Sequence, residues 1–187
     1  MTSQARMIIG WREWVALPLL GLPAIKAKVD TGAKTSSLHA FRIETFERVG
    51  RLHVRFRVHP IQGRKDVVVL CEAPVIDHRS VSDSGGHREK RFVIQTTITI
   101  GSLTFPIEVT LANRESMTHR MLIGRSAMAQ LAIDPSRSYL LGRPLKSARI
   151  YADSQKLYQK PQLKRQAGTP AKATLKAPTK KKSRKSE

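Results

Sequence analysis

The stretch Ala27-Lys28-Val29-Asp30-Thr31-Gly32-Ala33 places an acid at the end of an apolar segment, with a glycine two residues later. A carboxylate held at a strand end can face a cleft and work as a general acid or base. Glycine permits a tight turn and lets a backbone N–H approach the carboxylate, and the Thr31 hydroxyl can both donate and accept hydrogen bonds. Asp-Thr-Gly alone is a common structural turn, so a second feature is needed to indicate catalysis.

A second motif follows about ninety residues later in the chain. Met121-Leu122-Ile123 is a short apolar strand that ends in Gly124-Arg125. Ser126 is suited to cap a short helix, predicted over Ala127 to Leu131 and ended before Asp134-Pro135. The two motifs therefore share one form, an apolar strand followed at once by a tight, glycine-containing turn.

The elements that must position these motifs are predicted to be short β-strands separated by turns. Leu52 to Val58 alternates apolar and polar residues, as a half-buried strand does. Residues 91–100 and 103–111 are predicted to pair as a hairpin across Gly101-Ser102. Further strands are predicted over 14–20, 24–29, 66–71, 121–123 and 138–141. The residues thus indicate an all-β domain, closed or sandwiched, with one brief helix.

The order of these features resembles one lobe of a retropepsin-like aspartic protease. The sequence is more closely similar to the bacterial group long labelled ATP-dependent zinc proteases, which includes the RimB-type peptidases. That similarity rests on Gly10-Trp11-Arg12-Glu13, on Lys28 through Ala40, on Arg91-Phe92-Val93-Ile94 and on Leu122-Ile123-Gly124-Arg125, and it covers roughly residues 8–145. The resemblance implies a closed, retropepsin-like (acid protease) β-barrel.

The resemblance also implies roles for individual residues. Asp30 would be the catalytic carboxylate, with Thr31, Gly32 and Ala33 around it, and Leu122-Ile123-Gly124 would pack beneath its turn. Residues 77–91 would form the flap, with the tip Ser82-Asp83-Ser84-Gly85-Gly86. The mechanism needs two carboxylates that share one proton, and the chain has one Asp-Thr-Gly, so a homodimer with Asp30 from each protomer is expected.

The sequence departs from the viral pattern next to this motif. Viral members usually carry an acid where this chain has Lys34, so Arg125 must find another partner or face a ligand. The cations Lys34, Arg79, Arg88, Lys90, Arg91 and Arg125 are either solvated surface charges or parts of a cleft for an acidic substrate. For the RimB-type group the implied context is an ATP-grasp ligase that adds glutamates to a ribosomal protein.

The net charge of +20 divides between two regions. Residues 152–187 hold eleven Lys or Arg and two acids, a charge of +9, which leaves +11 on residues 1–151. The 152–187 segment has few large apolar residues and is predicted to be a disordered tail. It either increases solubility or acts as an electrostatic anchor for RNA or ribosomes. The predicted domain therefore ends at residue 151.

Metal and nucleotide chemistry have little support in the sequence. There is no His-Glu-x-x-His pattern for zinc and no Gly-x-x-x-x-Gly-Lys-Ser/Thr loop for ATP, so no cofactor is expected. His78, Asp83 and His87 are the one candidate cluster of ligands. Cys71 is expected to be a small buried residue, not a nucleophile.

One alternative from another functional class stays open. A non-catalytic basic β module that binds RNA or ribosomes would have the same charge, although the aromatic residues form no recognisable stacking pattern. No stretch reaches the roughly 20 apolar residues that span a bilayer, and no signal peptide is recognised. With a single cysteine, a cytoplasmic location and no membrane partner are expected.

Overall fold

The computed structural model describes residues 5–82, 86, 88–143 and 150–151. In these ranges the chain forms eleven strands, followed or separated by two short 3₁₀ helices at Pro18–Leu20 and Arg125–Ala127. The strands are β1 (Met7–Gly10), β2 (Arg12–Leu17), β3 (Leu22–Val29), β4 (Ser36–His39), β5 (Phe41–Arg48), β6 (Arg51–Val58), β7 (Val69–Ser82), β8 (Arg88–Ile100), β9 (Leu103–Ala112), β10 (Met121–Ile123) and β11 (Leu131–Asp134).

Six of these strands close into a barrel in the order β2-β3-β10-β4-β9-β8, and a pairing of Ala16 with Thr99 joins β8 back to β2. The pairs β3–β10 and β4–β9 are parallel, and the other pairs in the ring are antiparallel. Beyond β8 the sheet continues through β7, β6 and β5. The prediction of a closed all-β barrel is therefore confirmed.

The barrel core follows from the alternation of apolar residues along the strands. In β6, Val54, Phe56 and Val58 are fully buried, whereas Arg55 points to solvent. Burying one such side chain contributes roughly 1.5–3 kcal/mol relative to leaving it exposed. The predicted hairpin at Gly101 is also present, with β8 and β9 paired from Ile100 and Leu103 onward.

Two predicted elements are wrong. The helix predicted over Ala127 to Leu131 is instead a 3₁₀ turn over Arg125–Ala127, and Leu131–Asp134 forms strand β11, which pairs with β1. Five residues are too few to form a stable α-helix without tertiary support. Leu131 instead pairs with Met7 of β1. Residues 138–141 form no strand, because Tyr139 has a φ of 58° and its neighbours bond to Glu13.

The predicted tail, residues 152–187, lies outside the described residues. Just before it, Tyr151 is fully buried, and its hydroxyl donates to the carbonyl of Ala24. In the part of the chain that the structure describes, no helix has the length and apolar character needed to cross a membrane.

Glu13 joins the first strands to the end of the domain. Its carboxylate is completely buried and accepts hydrogen bonds from the backbone N–H groups of Gly10 at 2.8 Å and Leu140 at 2.8 Å. A third, longer bond of 3.4 Å comes from the N–H of Leu141. A carboxylate that accepts several backbone bonds is stabilised in its buried position, so Glu13 is a structural residue of the fold.

We expect Glu13→Ala to lower the free energy of unfolding by about 2–4 kcal/mol, because it leaves two or three buried N–H groups without acceptors. Urea unfolding followed by circular dichroism measures the loss. Glu47→Ala, an exposed position on β5, is the matched control and should change stability by less than about 0.5 kcal/mol. Equal effects of the two substitutions would contradict the structural role of Glu13.

Candidate active site

Asp30 follows directly after β3, and its backbone and side chain are both fixed. The backbone N–H donates to the carbonyl of Ile123 at 2.9 Å. The side-chain Oδ1 accepts from the N–H of Gly32 at 3.1 Å and from that of Ala33 at 3.2 Å. The side chain is half-buried, and Thr31 and Gly32 are exposed. The carboxylate is therefore oriented by two backbone donors and stays accessible to a substrate.

The second motif lies beneath this turn. β10 runs parallel to β3, with Leu122 opposite Lys28 and Ile123 opposite Val29. At Gly124 the chain passes so close to Thr35 that a β-carbon would lie 2.5 Å from the Thr35 carbonyl carbon. The N–H of Gly124 donates to the buried Ser36 hydroxyl at 3.1 Å. Only glycine fits there, so the two motifs of the sequence meet in space.

Arg125 finds its partners in the backbone of the Asp30 turn. Its Nη1 donates to the carbonyls of Thr31 at 2.6 Å and Gly32 at 2.8 Å. Its backbone N–H donates to the carbonyl of Ala33 at 2.9 Å. Two carbonyl oxygens can in this way take the place of a carboxylate as the acceptors of a guanidinium. Of the two options left open by the sequence, a new partner or a ligand, the structure shows the first.

The proposed flap coincides with the hairpin of β7 and β8. The two strands pair from Asp77 opposite Val93 to Ser82 opposite Arg88. Of the predicted tip, Ser82 and Gly86 are described, and Gly86 has a φ of 83°, a conformation that favours glycine. Asp83, Ser84 and Gly85 lie outside the described residues, as does His87 of the candidate metal cluster.

The predicted substrate cations have different environments. Arg79 pairs with Asp77 and with Glu108, the latter at 3.2 Å. Lys34, Arg88 and Lys90 are exposed. Arg91 has only 15% of its side chain exposed, and its Nε donates to Glu89 at 2.8 Å. The charge of Arg79 is therefore neutralised by neighbouring acids, whereas the side chain of Arg91 is mostly buried.

Arg91 also lines a cavity of about 340 Å³ between the hairpin β5–β6 and the flap hairpin. Its charged lining residues are Arg42, Glu89, Lys90 and Arg91, an excess of two positive charges. Apolar side chains and the end of β9 complete the lining: Ala40, Phe41, Ile43, Phe92, Leu111, Ala112 and Asn113. The cavity thus offers both apolar surface and positive charge.

Arg114, which lies in the loop between β9 and β10, was not singled out in the sequence analysis. Its backbone N–H donates to Nδ1 of His39 at 3.1 Å, and its Nε donates to the carbonyl of His119 at 3.2 Å. Burial and the charge of Arg91 lower the pKa of Arg114, while Asp30 acts in the opposite direction. No local pattern marks Arg114, since residues 113–120 contain only two arginines, Arg114 and Arg120.

Behind this loop lies a buried pair of histidines. His39 is fully buried, and its Nε2 is 3.4 Å from Nδ1 of His59. Since Nδ1 of His39 accepts from Arg114, the proton of the neutral ring is on Nε2. Burial, followed by the charge of Arg120, lowers the pKa of His39 to about 4. The ring is neutral near pH 7, which suits its role as an acceptor.

Two other reactive residue types have structural roles. Cys71 is buried, its thiol donates to the carbonyl of Leu20 at 3.3 Å, and burial raises its pKa to about 12. It therefore carries no thiolate at neutral pH, as predicted. Within the described ranges, no group of three or more His, Cys, Asp or Glu side chains is placed to hold a metal ion.

A closed barrel of six strands, with an acid turn hydrogen-bonded to a second strand, is the arrangement expected of the retropepsin-like aspartic protease fold. A family model described as retropepsin-like aspartic endopeptidase RimB matches residues 8–144, and the chain belongs to this RimB-like family. The resemblance seen in the sequence is thereby confirmed.

Relatives that carry a different name share this domain. The chain is 48% identical over 141 residues to a probable alpha-L-glutamate ligase of Shewanella pealeana, and 49% identical over 145 residues to one of Desulfotalea psychrophila. These matches cover 75% and 77% of the chain but 31% of each relative. The chain therefore spans about a third of the length of these relatives.

A solved structure confirms the fold. The crystal structure of a Legionella pneumophila protein of unknown function is 30% identical, with a TM-score of 0.62. The match covers 74% of this chain and 99% of that one. The barrel described above is thus similar to an entire, separately solved chain.

We expect Gly124→Ala to destabilise the domain by about 1–3 kcal/mol, since the added methyl overlaps backbone atoms that cannot move independently. Thermal unfolding measures the change. Ser126→Ala, two residues away and exposed, is the control and should leave the melting temperature almost unchanged. If the Gly124→Ala variant melts at the same temperature as the wild-type protein, the backbone of Gly124 does not lie as close to Thr35 as described.

We expect the stability of the domain to fall as the pH drops from 6.5 to about 4. The reason is that His39 binds a proton more readily in the unfolded chain than in the folded protein. The folded pKa is lowered, so the contribution is complete above pH 6.5. It decreases by about 3 kcal/mol at pH 4. The charged groups acting on His39 are Arg120, His59, Glu115 and Arg114.

His39→Gln removes this titration and keeps a hydrogen-bonding side chain. Urea unfolding of both proteins between pH 7 and pH 4 isolates the effect, because the other groups cancel in the difference. We expect the deficit of His39→Gln relative to wild type to shrink as the pH falls. A difference that is constant across this range would contradict the assignment.

Proposed function

We propose that this protein is an aspartic endopeptidase whose catalytic dyad consists of Asp30 from two protomers. The observation that carries the proposal is the orientation of the Asp30 carboxylate by the N–H groups of Gly32 and Ala33 in a member of the RimB-like family. Each chain supplies one Asp-Thr-Gly, so a second copy must supply the other carboxylate.

The dyad hydrolyses the peptide bond through water. The ionised carboxylate takes a proton from water, whose oxygen adds to the carbonyl carbon, while the protonated carboxyl group gives its proton to the carbonyl oxygen. Collapse of the tetrahedral intermediate breaks the C–N bond: the leaving amine takes the proton from one carboxyl group of the dyad, and a hydroxyl of the intermediate gives its proton to the other carboxylate, so that the dyad again holds one proton. Two close carboxylates share one proton, as the aspartic proteases illustrate in general.

The proposed substrate is an acidic polypeptide, such as a ribosomal protein extended with glutamates. Two observations support it. Residues 1–151 carry a charge of +11, and the cavity beside the flap has an excess of positive charge. In addition, the relatives named as glutamate ligases contain a domain like this one in a longer chain. This arrangement supports our proposal that the protein works with a glutamate ligase of the ATP-grasp type.

We expect Asp30→Asn to reduce cleavage of glutamate-rich peptides by at least about 10³-fold, because an amide cannot exchange the proton. Mass spectrometry of the products, at pH values from 4 to 7, measures the rate and locates the cleaved bond. Asp66→Asn, the same change at an exposed site paired with Arg64, is the control and should keep wild-type activity.

Mixing experiments test the shared dyad within the same assay. An excess of Asp30→Asn protein should lower the rate of wild-type protein, because mixed dimers hold one carboxylate and one amide. Asp66→Asn protein in equal excess should not lower it. Sedimentation should show a dimer under the assay conditions. Full activity of a strictly monomeric protein would overturn the shared dyad, and equal cleavage by Asp30→Asn would overturn the role of Asp30. If neither protein cleaves any peptide, the basic binding module becomes the better explanation.

A further inference from the structure

The outer side of strands β2 and β3 carries cations next to an aromatic ring. In β2, buried residues alternate with Arg12 and Trp14, which therefore point away from the core. In β3, Lys26 and Lys28 do the same, with Lys26 opposite Trp14 and Lys28 opposite Arg12. The Nζ of Lys26 lies 5.3 Å from the centroid of the Trp14 ring. Like charges directly opposite each other destabilise a sheet, so the pair of Arg12 and Lys28 does not serve the stability of the fold.

Two more rings extend this side beyond the two strands. The guanidinium carbon of Arg12 lies 4.4 Å from the centroid of the Trp11 ring and 5.1 Å from that of Tyr139. The guanidinium carbon of Arg143 lies 4.7 Å from the same Tyr139 centroid. Backbone bonds hold both rings: Tyr139 N–H donates to the Arg12 carbonyl at 2.8 Å, and Trp11 N–H donates to the Arg137 carbonyl at 3.0 Å. Rings and cations therefore alternate along this side.

The fold thus brings together aromatic residues that are scattered in the sequence. The basic aromatic face consists of Trp11, Arg12, Trp14, Lys26, Lys28, Tyr139 and Arg143. All of these side chains are half-buried or exposed, so a ligand can reach them. Both tryptophans of the chain belong to this face. The lack of a recognisable stacking pattern in the sequence therefore does not carry over to the folded chain.

The positive charge of the basic aromatic face is not neutralised by the protein. Among the residues that the structure describes, none of its cations forms a salt bridge. The effect reaches His119, whose ring centroid lies 6.2 Å from that of Trp11. Burial, followed by the charges of three cations of the face, lowers the pKa of His119. The face is a region of positive potential that attracts anions.

A second ring with cations over it shows the opposite arrangement. Arg48 and Arg55 each lie 5.2 Å from the centroid of the Phe46 ring on the β5–β6 hairpin. Both guanidinium groups donate to Glu72, at 2.7 and 2.8 Å. The charges at Phe46 are therefore used within the protein, which makes this cluster a matched control for the basic aromatic face.

We propose that the basic aromatic face binds single-stranded nucleic acid. Bases stack on aromatic side chains and on guanidinium planes, while phosphates pair with Lys and Arg. Side chains that stand outward from a sheet form the kind of platform on which single strands are bound. An acidic polypeptide would pair with the cations but has no planar bases to place on the rings. The combination of rings and unpaired cations therefore favours a nucleic acid, and this binding activity does not depend on the proposed peptidase function.

The position of the face names the competitor that a test must exclude. The carbonyl of Trp11 accepts from the N–H of Val29 at 2.9 Å, and Val29 directly precedes Asp30. One end of the face therefore lies beside the candidate active site. An acidic peptide is accordingly the alternative occupant.

Tryptophan fluorescence of the full-length protein reports binding at this face, because both tryptophans lie on it. The probes are a thymidine decamer and a strand with the same phosphates in which tetrahydrofuran replaces each nucleoside. We expect the thymidine strand to quench the fluorescence and to bind at least about tenfold more tightly than the abasic strand. Contacts of residues 152–187 with phosphates are the same for both strands. A uridine decamer shows whether RNA or DNA binds better, and preference for either supports the proposal.

Substitutions separate the stacking from the charge, with affinities measured by the anisotropy of fluorescein-labelled strands. Trp11→Leu should remove most of the preference for the strand with bases, and Trp11→Phe should keep part of it, because a ring remains. Lys26→Gln combined with Lys28→Gln should weaken binding of both strands at least about fivefold. It should also reduce the slope of log K against log salt by about 1.4, the value for two phosphate contacts on a single strand.

Arg48→Gln combined with Arg55→Gln is the control, since it removes the same charge beside Phe46. It should leave the affinities for both strands unchanged. Thermal unfolding verifies that each variant is folded. The two lysine substitutions, at outward positions of β3, decide the test if Trp11→Leu is not folded.

Three outcomes would overturn the proposal. The first is equal binding of the thymidine and abasic strands without quenching, which would leave only non-specific charge. The second is an equal loss of affinity in the Lys26 and Lys28 variant and in the control variant. The third is displacement of the thymidine strand by a glutamate decamer of equal charge with the same quenching, which would assign the face to an acidic polypeptide.

Discussion

The site depends on the backbone hydrogen bonds that hold the Asp30 turn against β10. The bond from the Asp30 N–H to the Ile123 carbonyl extends the parallel pairing of β3 and β10 by one residue beyond the last strand pair. An exposed turn would otherwise sample many conformations at a cost of roughly 1–2 kcal/mol per residue ordered. Arg125 adds bonds to two carbonyls of the same turn. The position of the Asp30 turn is therefore held by a strand about ninety residues away in the sequence.

The same requirement explains why neighbouring arginines serve different purposes. A carbonyl-rich turn attracts a donor with several N–H groups, and Arg125 is the residue that emerges from β10 at the right place. Arg114 emerges from a loop whose backbone is already satisfied by His39 and Arg120. Within the described part of the chain, the Nε of its guanidinium has an acceptor, the carbonyl of His119, and the Nη atoms have none. Two arginines therefore have different roles because the backbone carbonyl groups around Arg125 need a donor, whereas the backbone at Arg114 is already hydrogen-bonded.

Much of the barrel could be predicted, because β6, β8 and β9 alternate and the Gly101 hairpin has a clear turn. The packing of Leu122-Ile123-Gly124 beneath the Asp30 turn was implied by the family resemblance. β4 escaped prediction because all four of its residues, Ser36–His39, are buried, so it shows no alternation. Arg114 escaped because its position depends on a hydrogen bond to His39, which is 75 residues away in the sequence. The false helix after Ser126 shows tertiary pairing overriding local pattern.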